Sequence, residues 1–285
     1  MEQKNSFGVK KKINNIKSFN LTFWKIFDIS LFGRGVNEVL KIIDGWINSE
    51  AKNKWIATVN PEFVMKALKD NAFKAILRET DLNVVDGIGL IWAREISKKN
   101  PITNFQFLNR LYWGFKVGVE ILQGKHKEEL VSGSDLMPEL CKLASKKGYK
   151  VFLLGGWGDR AKKSADFLKS KFLISGDKIS WSQGEPEIKN KEVLKQIDKF
   201  KPDILFVAYG MKKQEEWIKI NRNKVSFGVV IGVGRSFDYY SGDLKRAPKF
   251  IRKMGMEWLY SLMIEPKRWK RQLELPKFIW KVLTR

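Results

Sequence analysis

Asp86 is the side chain in this sequence best placed for acid–base chemistry. It closes a short apolar run at 82–85 and is followed at once by Gly87. A carboxylate shielded by apolar neighbours tends toward a raised pKa, which suits a general base that accepts a proton from a hydroxyl group. The alternative is structural, because an aspartate here could cap the helix that we predict to begin near Ile88. Both interpretations stay open at this point.

A second polar group follows another apolar run, at Gly210. Gln214 and Glu215 come four and five residues later, where they could hydrogen-bond a base or a sugar beside free helix N–H groups that favour phosphate. The alternative is a solvated first turn whose acids complement the helix dipole. Asp238, in the segment 236–240, either faces the same site or only makes a turn.

The sequence contains few residues that could act as a thiol nucleophile or bind a metal ion. The chain has one cysteine, Cys141, and one histidine, His126, and it contains no Asp-x-Asp triplet that would hold a divalent cation on a diphosphate. We therefore predict no metal and no cofactor. Helix N-termini and arginines would then have to stabilise the negative charge of a phosphate-bearing ligand. The candidates are Arg246, Arg268 and Arg271, and the alternative for each is a surface ion pair.

Short apolar runs alternate with longer stretches of helical periodicity. We predict strands at 55–59, 82–85, 129–131, 150–154, 204–208 and 229–233. We predict helices at 35–49, 61–78, 88–97, 135–147, 160–171, 189–200 and 213–223. This alternation indicates an α/β fold, with a Rossmann-like, mainly parallel sheet and helices on both faces. Only helix is predicted after Gly242, so we divide the chain into a basic flexible arm at 1–20, an α/β domain at 21–240 and a helical appendage at 241–285.

Small, polar or acidic residues follow the predicted strands. In an open parallel sheet, ligands bind beyond the carboxyl ends of the strands, and glycine there lets the backbone approach them. The pattern predicts a nucleotide-type site, although neither a dinucleotide fingerprint nor a P-loop is present. The residues concerned are Asn60, Gly87, Gly210, Gly232 and Gly234.

The chain is strongly basic, with 54 Lys and Arg against 31 Asp and Glu and a net charge of +23. Basic residues interleaved with Trp258, Trp269 and Trp280 give the segment 241–285 the composition of a membrane-interface element. A solvated helical face is the alternative. We expect no membrane-spanning segment and no signal peptide, and hence a cytoplasmic protein. A basic nucleic-acid-binding protein remains an alternative class.

Four stretches, taken in order, resemble the WecG/TagA/CpsF glycosyltransferases. They read TVNPE at 58–62, VDGIG at 85–89, GMKKQE at 210–215 and GVGRSFDYYSG at 232–242. The segments 246–248, 257–260 and 265–268 continue the match, which covers roughly residues 25–275. The departures are Lys212 in place of a usual Pro, Arg235 in place of Gly, and Ser261 in place of Arg.

The resemblance implies an inverting, metal-independent transfer of a hexosyl group, N-acetylmannosamine or a related sugar, from a UDP-sugar. The acceptor would be a sugar on a polyprenyl diphosphate, used for cell-surface polysaccharide at the inner face of the cytoplasmic membrane, to which the protein would attach peripherally. Catalytic roles fall to Asp86, as the base, and to Thr58. The resemblance implies that the lipid diphosphate is bound by Arg246, Arg268 and Arg271. The donor-binding positions are Asn60, Gly87, Gly210, Gln214, Glu215, Gly232, Gly234 and Asp238.

Two other classes stay open beside this resemblance. One is the nucleic-acid-binding protein, although no helix-turn-helix, RNP or zinc pattern is visible and the resemblance predicts no nucleic-acid partner. The other is a different nucleotide-dependent Rossmann-like enzyme that uses NAD or S-adenosylmethionine. The sequence does not determine the oligomeric state, and a homo-oligomer is compatible with it.

Overall fold

The structure is a computed structural model that describes residues 22–99, 106–184 and 191–285. The predicted arm at 1–20 lies outside these residues. The strands are β1 (Phe23–Ile26), β2 (Ile29–Phe32), β3 (Lys54–Val59), β4 (Leu82–Val85), β5 (Val151–Gly155), β6 (Ile179–Ser182), β7 (Ile204–Ala208) and β8 (Val229–Gly232).

Helices form most of the connections between the strands and most of the C-terminal segment. The helices of the first half are α1 (Val36–Asn48), α2 (Pro61–Lys69), α3 (Asn71–Glu79), α4 (Ile88–Lys99), α5 (Gln106–Leu122) and α6 (Gly133–Lys147). Those of the second half are α7 (Arg160–Phe172), α8 (Lys191–Phe200), α9 (Lys213–Asn221), α10 (Ser236–Tyr240), α11 (Lys249–Lys253), α12 (Glu257–Ile264), α13 (Trp269–Gln272) and α14 (Glu274–Leu283). Short 3₁₀ turns lie at Gly176–Lys178 and Pro266–Arg268.

The described strands form one sheet in the order β1-β2-β4-β3-β8-β7-β5-β6. Only the β1–β2 pair is antiparallel. The other strand pairs run parallel, and β3 lies between β4 and β8 near the centre. The prediction of an α/β, Rossmann-like, mainly parallel sheet is therefore confirmed.

Alternation along the central strands creates a core on each face of the sheet. On β3, Trp55 and Val59 pack into one core, whereas Ile56 between them packs into the other. All three side chains are fully buried. Successive side chains of a strand point to opposite faces, so a strand that is apolar at every position needs cover on both sides. The helices provide that cover.

Two predicted elements differ from those observed. The predicted strand at 129–131 is reduced to a single bridge, in which the Val131 N–H donates to the Val85 carbonyl at 2.8 Å. The predicted helix at 61–78 divides at Asp70, which ends α2 and whose carboxylate caps α3 by accepting from the Phe73 N–H at 3.1 Å. The elements that were not predicted are the β1–β2 hairpin, β6, α5, α10 and the 3₁₀ turn at Gly176–Lys178.

The C-terminal segment is helical, as predicted, and part of it packs on the α/β layers. Its last helix, α14, returns to the α/β layers, where Phe278 is fully buried and meets Phe27 edge-on with ring centroids 6.5 Å apart. The boundary at 240/241 stays a prediction. Across the described ranges, we find no helix with the length and apolar character needed to cross a membrane.

Candidate active site

The site lies at the carboxyl edge of the sheet, where β3 and β8 end side by side. The Thr58 hydroxyl donates to the Gly232 carbonyl at 2.9 Å and links the two strand ends. From β3 the chain continues to β4 on one side, whereas β7 and β5 extend the sheet on the other side. In open α/β sheets, ligands bind beyond the carboxyl ends of the strands at a point where the chain continues in opposite directions, so this edge is the candidate site.

Asp86 follows β4 directly at this edge. Its backbone N–H donates to the Val59 carbonyl at 2.7 Å, which holds it against the end of β3. Gly87 comes next with a φ of +139°, and a Cβ added there would lie 3.1 Å from the Pro61 ring. Glycine is required because a side chain would be strained in this backbone conformation and would crowd Pro61.

The Asp86 carboxylate is surrounded by protein yet reached by solvent. Within the described residues it has no side-chain hydrogen-bond partner, and no N–H of α4 donates to it, so the capping alternative finds no support here. Burial, followed by the negative charges of Glu257 and Asp135, raises the pKa of Asp86 to about 8, against the opposing effect of Arg246. A carboxyl with this pKa exchanges protons near neutral pH.

Arg246 organises an ionic cluster close to Asp86. Its guanidinium donates to the two carboxylate oxygens of Asp135 at 2.7 and 2.9 Å and to Glu257 at 2.9 Å. Arg252 approaches Asp135 at 3.3 Å as well. The cluster joins the start of α6 to the start of α12, so the C-terminal segment is tied down next to the predicted base.

Gln214 and Glu215 lie in the first turn of α9 and are buried. Glu215 accepts from the Trp55 indole N–H at 2.9 Å and from the Gln214 amide at 3.1 Å, while Gln214 accepts from the Gly234 N–H at 3.1 Å. These bonds join β3, α9 and the turn after β8. A Cβ at Gly232 would lie 2.5 Å from Gln214 Nε2, so glycine is needed for this packing. The donor-binding role of both residues stays a prediction.

The other predicted donor residues lie on the same edge or next to it. The Asn60 side chain caps α2 by accepting from the Phe63 N–H at 3.1 Å. Gly210 has a φ of +80° before α9, and Lys212 has a φ of +72°, a value that the proline usual in the family cannot adopt. Asp238, on α10, pairs with Arg160 at 2.8 Å and with Arg235 at 3.5 Å.

The remaining predicted arginines lie on the C-terminal segment, each beside an acid. Arg268 lies 3.5 Å from Glu265, whose carboxylate also pairs with Arg235. Arg271 donates to Glu62, in the first turn of α2, at 2.6 Å. Glu62 also contributes to the raised pKa of Asp86, so this part of the segment lies near the predicted base.

Asp135 and Glu257 pair with Arg246 and act on the pKa of Asp86 in the candidate site, and the sequence analysis assigned neither of them a role. Asp135 follows a Gly-Ser pair in the first turn of α6, and its N–H is capped by Ser132 at 3.1 Å. That pattern could have marked it, because it resembles the other polar turns at the sheet edge. Glu257 begins the segment 257–260 that continues the family resemblance, but nothing in that segment indicated an ionic role for it. Among the described residues, we find no group of three His, Cys, Asp or Glu side chains that could hold a metal ion.

A comparison with known proteins identifies the relatives of this chain. The model of the glycosyl transferase WecG/TagA/CpsF family matches residues 24–113 and 113–285. An N-acetylglucosaminyldiphosphoundecaprenol N-acetyl-beta-D-mannosaminyltransferase of Bacillus subtilis strain 168 is 33% identical over 231 residues, which are 80% of this chain and 78% of that protein. A Staphylococcus aureus MRSA252 protein of the same name is 31% identical over 237 residues, 82% of each chain. The chain belongs to the WecG/TagA/CpsF family of glycosyltransferases.

Proposed function

We propose that this glycosyltransferase moves N-acetylmannosamine, or a closely related hexosyl group, from a UDP-sugar to N-acetylglucosamine on a polyprenyl diphosphate, for cell-surface polysaccharide synthesis. The names of the two relatives support this sugar and this acceptor. The crevice between β3 and β8 supports a nucleotide-linked donor, because ligands of open α/β sheets bind at such a point. The observation that carries the proposal is the Asp86 carboxylate at this edge.

In the proposed reaction, Asp86 removes the proton of the acceptor hydroxyl. The hydroxyl oxygen attacks the anomeric carbon from the face opposite UDP, and the bond from that carbon to the UDP oxygen breaks with its electron pair on UDP. A single displacement inverts the anomeric centre and needs no enzyme nucleophile. We infer that the reaction needs no metal ion, and that arginines and helix N-termini stabilise the charge of the departing diphosphate.

We assign Arg246 an electrostatic effect on Asp86, the proposed base. Burial and three nearby carboxylates raise the pKa of Asp86, whereas the positive charge of Arg246 lowers it and keeps ionisation possible near neutral pH. Thr58, the second predicted catalytic residue, donates its proton to the Gly232 carbonyl, so its oxygen lone pairs remain available to a substrate hydroxyl.

A lipid-linked acceptor fits the C-terminal segment. Trp258, Trp269 and Trp280, which lie on three different helices, line one apolar cavity of about 460 Å³ together with leucine, proline and isoleucine side chains. Arg268 precedes Trp269, and Arg271 follows it by two residues. Arg268 shares Glu265 with Arg235, and Arg271 pairs with Glu62 at the start of α2, so we assign both arginines to the lipid diphosphate. A peripheral contact of this basic segment with the inner, anionic face of the cytoplasmic membrane follows from the same proposal.

The proposal is tested by transfer and by binding. Purified protein is given UDP-N-acetylmannosamine and a short-chain polyprenyl diphosphate N-acetylglucosamine acceptor, with UDP-glucose and UDP-N-acetylglucosamine as matched donors. We expect product from the first donor only, with inverted anomeric configuration by NMR.

Thermal-shift measurements with UDP, NAD, S-adenosylmethionine and an oligonucleotide separate the other classes. A ligand at 100 times its Kd adds about 2.7 kcal/mol to the free energy of unfolding. Stabilisation by UDP alone supports the proposal. Stabilisation by NAD, S-adenosylmethionine or the oligonucleotide without UDP contradicts it.

A further inference from the structure

Helix α5 presents a continuous apolar strip to solvent. Leu108, Tyr112, Phe115, Val119 and Leu122 follow one another at intervals of four, three, four and three residues, which places them on one side of a helix. They are well exposed, and Phe115 reaches 77%. A soluble surface seldom shows such a run, so the strip calls for a partner.

The strip is held rigidly on the core. On its inner side, α5 packs on α4 through the buried Val117 and Ile121, and the Trp92 indole N–H donates to the Gly114 carbonyl at 2.8 Å. Arg110 donates to the Val282 carbonyl of α14 at 3.1 Å. The outward side chains therefore project from a fixed helix.

The strip continues onto the C-terminal segment. Phe107 meets Trp280 edge-on with ring centroids 6.1 Å apart. Trp280 is 62% exposed and also lines the apolar cavity of the C-terminal helices. The exposed faces of α5 and α14 thus form one apolar surface, which joins the segment already proposed to meet the membrane.

The charges around this surface are basic. Lys116 and Lys99 lie over the Trp113 ring at 4.9 and 5.2 Å. Glu120, the acid of α5, is paired with His126 at 2.7 Å and with Lys99 at 3.7 Å, which leaves Lys116 as the positive charge next to the strip. An exposed lysine such as Lys116 beside aromatic and aliphatic side chains is typical of helices that lie in a bilayer interface. Protein–protein interfaces, in contrast, are depleted of lysine.

We infer that the outward strip of α5, together with Trp280, inserts into the headgroup region of an anionic bilayer as a second membrane contact beside the basic C-terminal segment. The inference rests on the proposed function in that a lipid-linked acceptor brings the protein to a bilayer. Amphipathic helices of this kind enter a bilayer by about 5–10 Å. Two contacts, one on α5 and one on the C-terminal helices, would hold the protein in one orientation on the surface.

A single fluorophore tests the insertion directly. Cys141 is the one cysteine of the chain and is fully buried, and burial raises the pKa of its thiol, so an introduced surface cysteine can be labelled selectively. We label Phe115→Cys with NBD and use Leu173→Cys as the control, because Leu173 is 86% exposed at the end of α7, away from the strip. With phosphatidylglycerol vesicles we expect a blue shift and quenching by doxyl-labelled lipid at position 115, and neither change at 173.

A binding series completes the test. We expect Leu108→Ser/Phe115→Ser to partition onto these vesicles at least about tenfold more weakly than the parent, with unchanged circular dichroism, because two exposed apolar side chains lose their burial in lipid. Leu173→Ser is the matched control and should bind like the parent.

Three results would overturn the inference. The first is a label at 115 that stays in water while the protein is vesicle-bound, and the second is an absence of vesicle binding. The third is a blue shift at 115 without vesicles that grows with protein concentration, alongside dimers in sedimentation, which would make the strip a protein interface. Transfer to a water-soluble acceptor is measured on the same variants and should not change. Failure of transfer by the parent protein with every donor would refute the proposed function and leave the insertion result standing.

Discussion

Replacing Asp86 with asparagine removes the predicted proton acceptor and preserves the shape of the side chain. We expect turnover by Asp86→Asn to fall by about 10²-fold or more, which is the contribution of a positioned general base. The KM for the donor should change little, because the proton is transferred only in the reaction step. Asp159→Asn is the matched control, since Asp159 is an exposed aspartate before α7 that pairs with Lys163 at 3.1 Å. It should keep full activity.

The same substitution should stabilise the fold. The pKa of Asp86 is about 8, against an ordinary value of 3.8. Between these values the unfolded chain has lost the proton and the folded chain has kept it, so the free energy of unfolding falls as pH rises from about 4 to about 8. At ~1.4 kcal/mol per unit of pKa the limit is about 6 kcal/mol, and because solvent reaches the carboxyl we expect about 2 kcal/mol. Asparagine avoids this loss.

Two measurements check this prediction. Initial transfer rates from pH 5.5 to 9 should rise for the parent up to a pH of about 8 and then level off, whereas the residual rate of Asp86→Asn should not vary with pH. Thermal unfolding should give Asp86→Asn a Tm several degrees above the parent at pH 8 and an equal Tm near pH 4. Turnover near the parent value would refute the assignment of the base. A lower Tm for the variant at pH 8 would refute the account of its buried charge.

Three further predictions concern the metal, the lipid diphosphate and the membrane. EDTA should leave the transfer rate unchanged, and strict dependence on Mg²⁺ or Mn²⁺ would contradict the assignment of the diphosphate charge to arginines. Arg268→Ala and Arg271→Ala should each raise the KM for the acceptor by roughly tenfold or more, the value of a charged hydrogen bond, without a change in the KM for the donor; Lys277→Ala is the control. Raising the salt concentration should release the protein from anionic vesicles in part, because screening weakens the basic contact and leaves apolar insertion intact.

The sequence by itself determined the layered fold and the edge that carries the site. The spacing of apolar residues, every second residue in a strand and every three or four residues in a helix, determines which faces are buried. Strands that are apolar on both faces indicate a parallel sheet with helices packed on each side. Asp86 and Gly87 could be assigned to the carboxyl edge because they follow the predicted strand at 82–85, and Gly232 because it lies near the end of the predicted strand at 229–233. These inferences depend only on residues that are close together in the sequence, so they do not require knowledge of the tertiary structure.

Only the tertiary structure decided which charged groups meet. Asp135 is 111 residues from Arg246 along the chain, yet the two side chains form a bidentate pair. Similarly, Glu215 turns inward to Trp55, and α14 brings Phe278 back into the core. Local periodicity describes how a segment is buried, whereas the choice of partner depends on how distant segments cross in space. The exposure of the strip on α5 could not be predicted from the sequence for the same reason. It depends on which face of α5 is covered by α4 and α14 and which face is left in solvent.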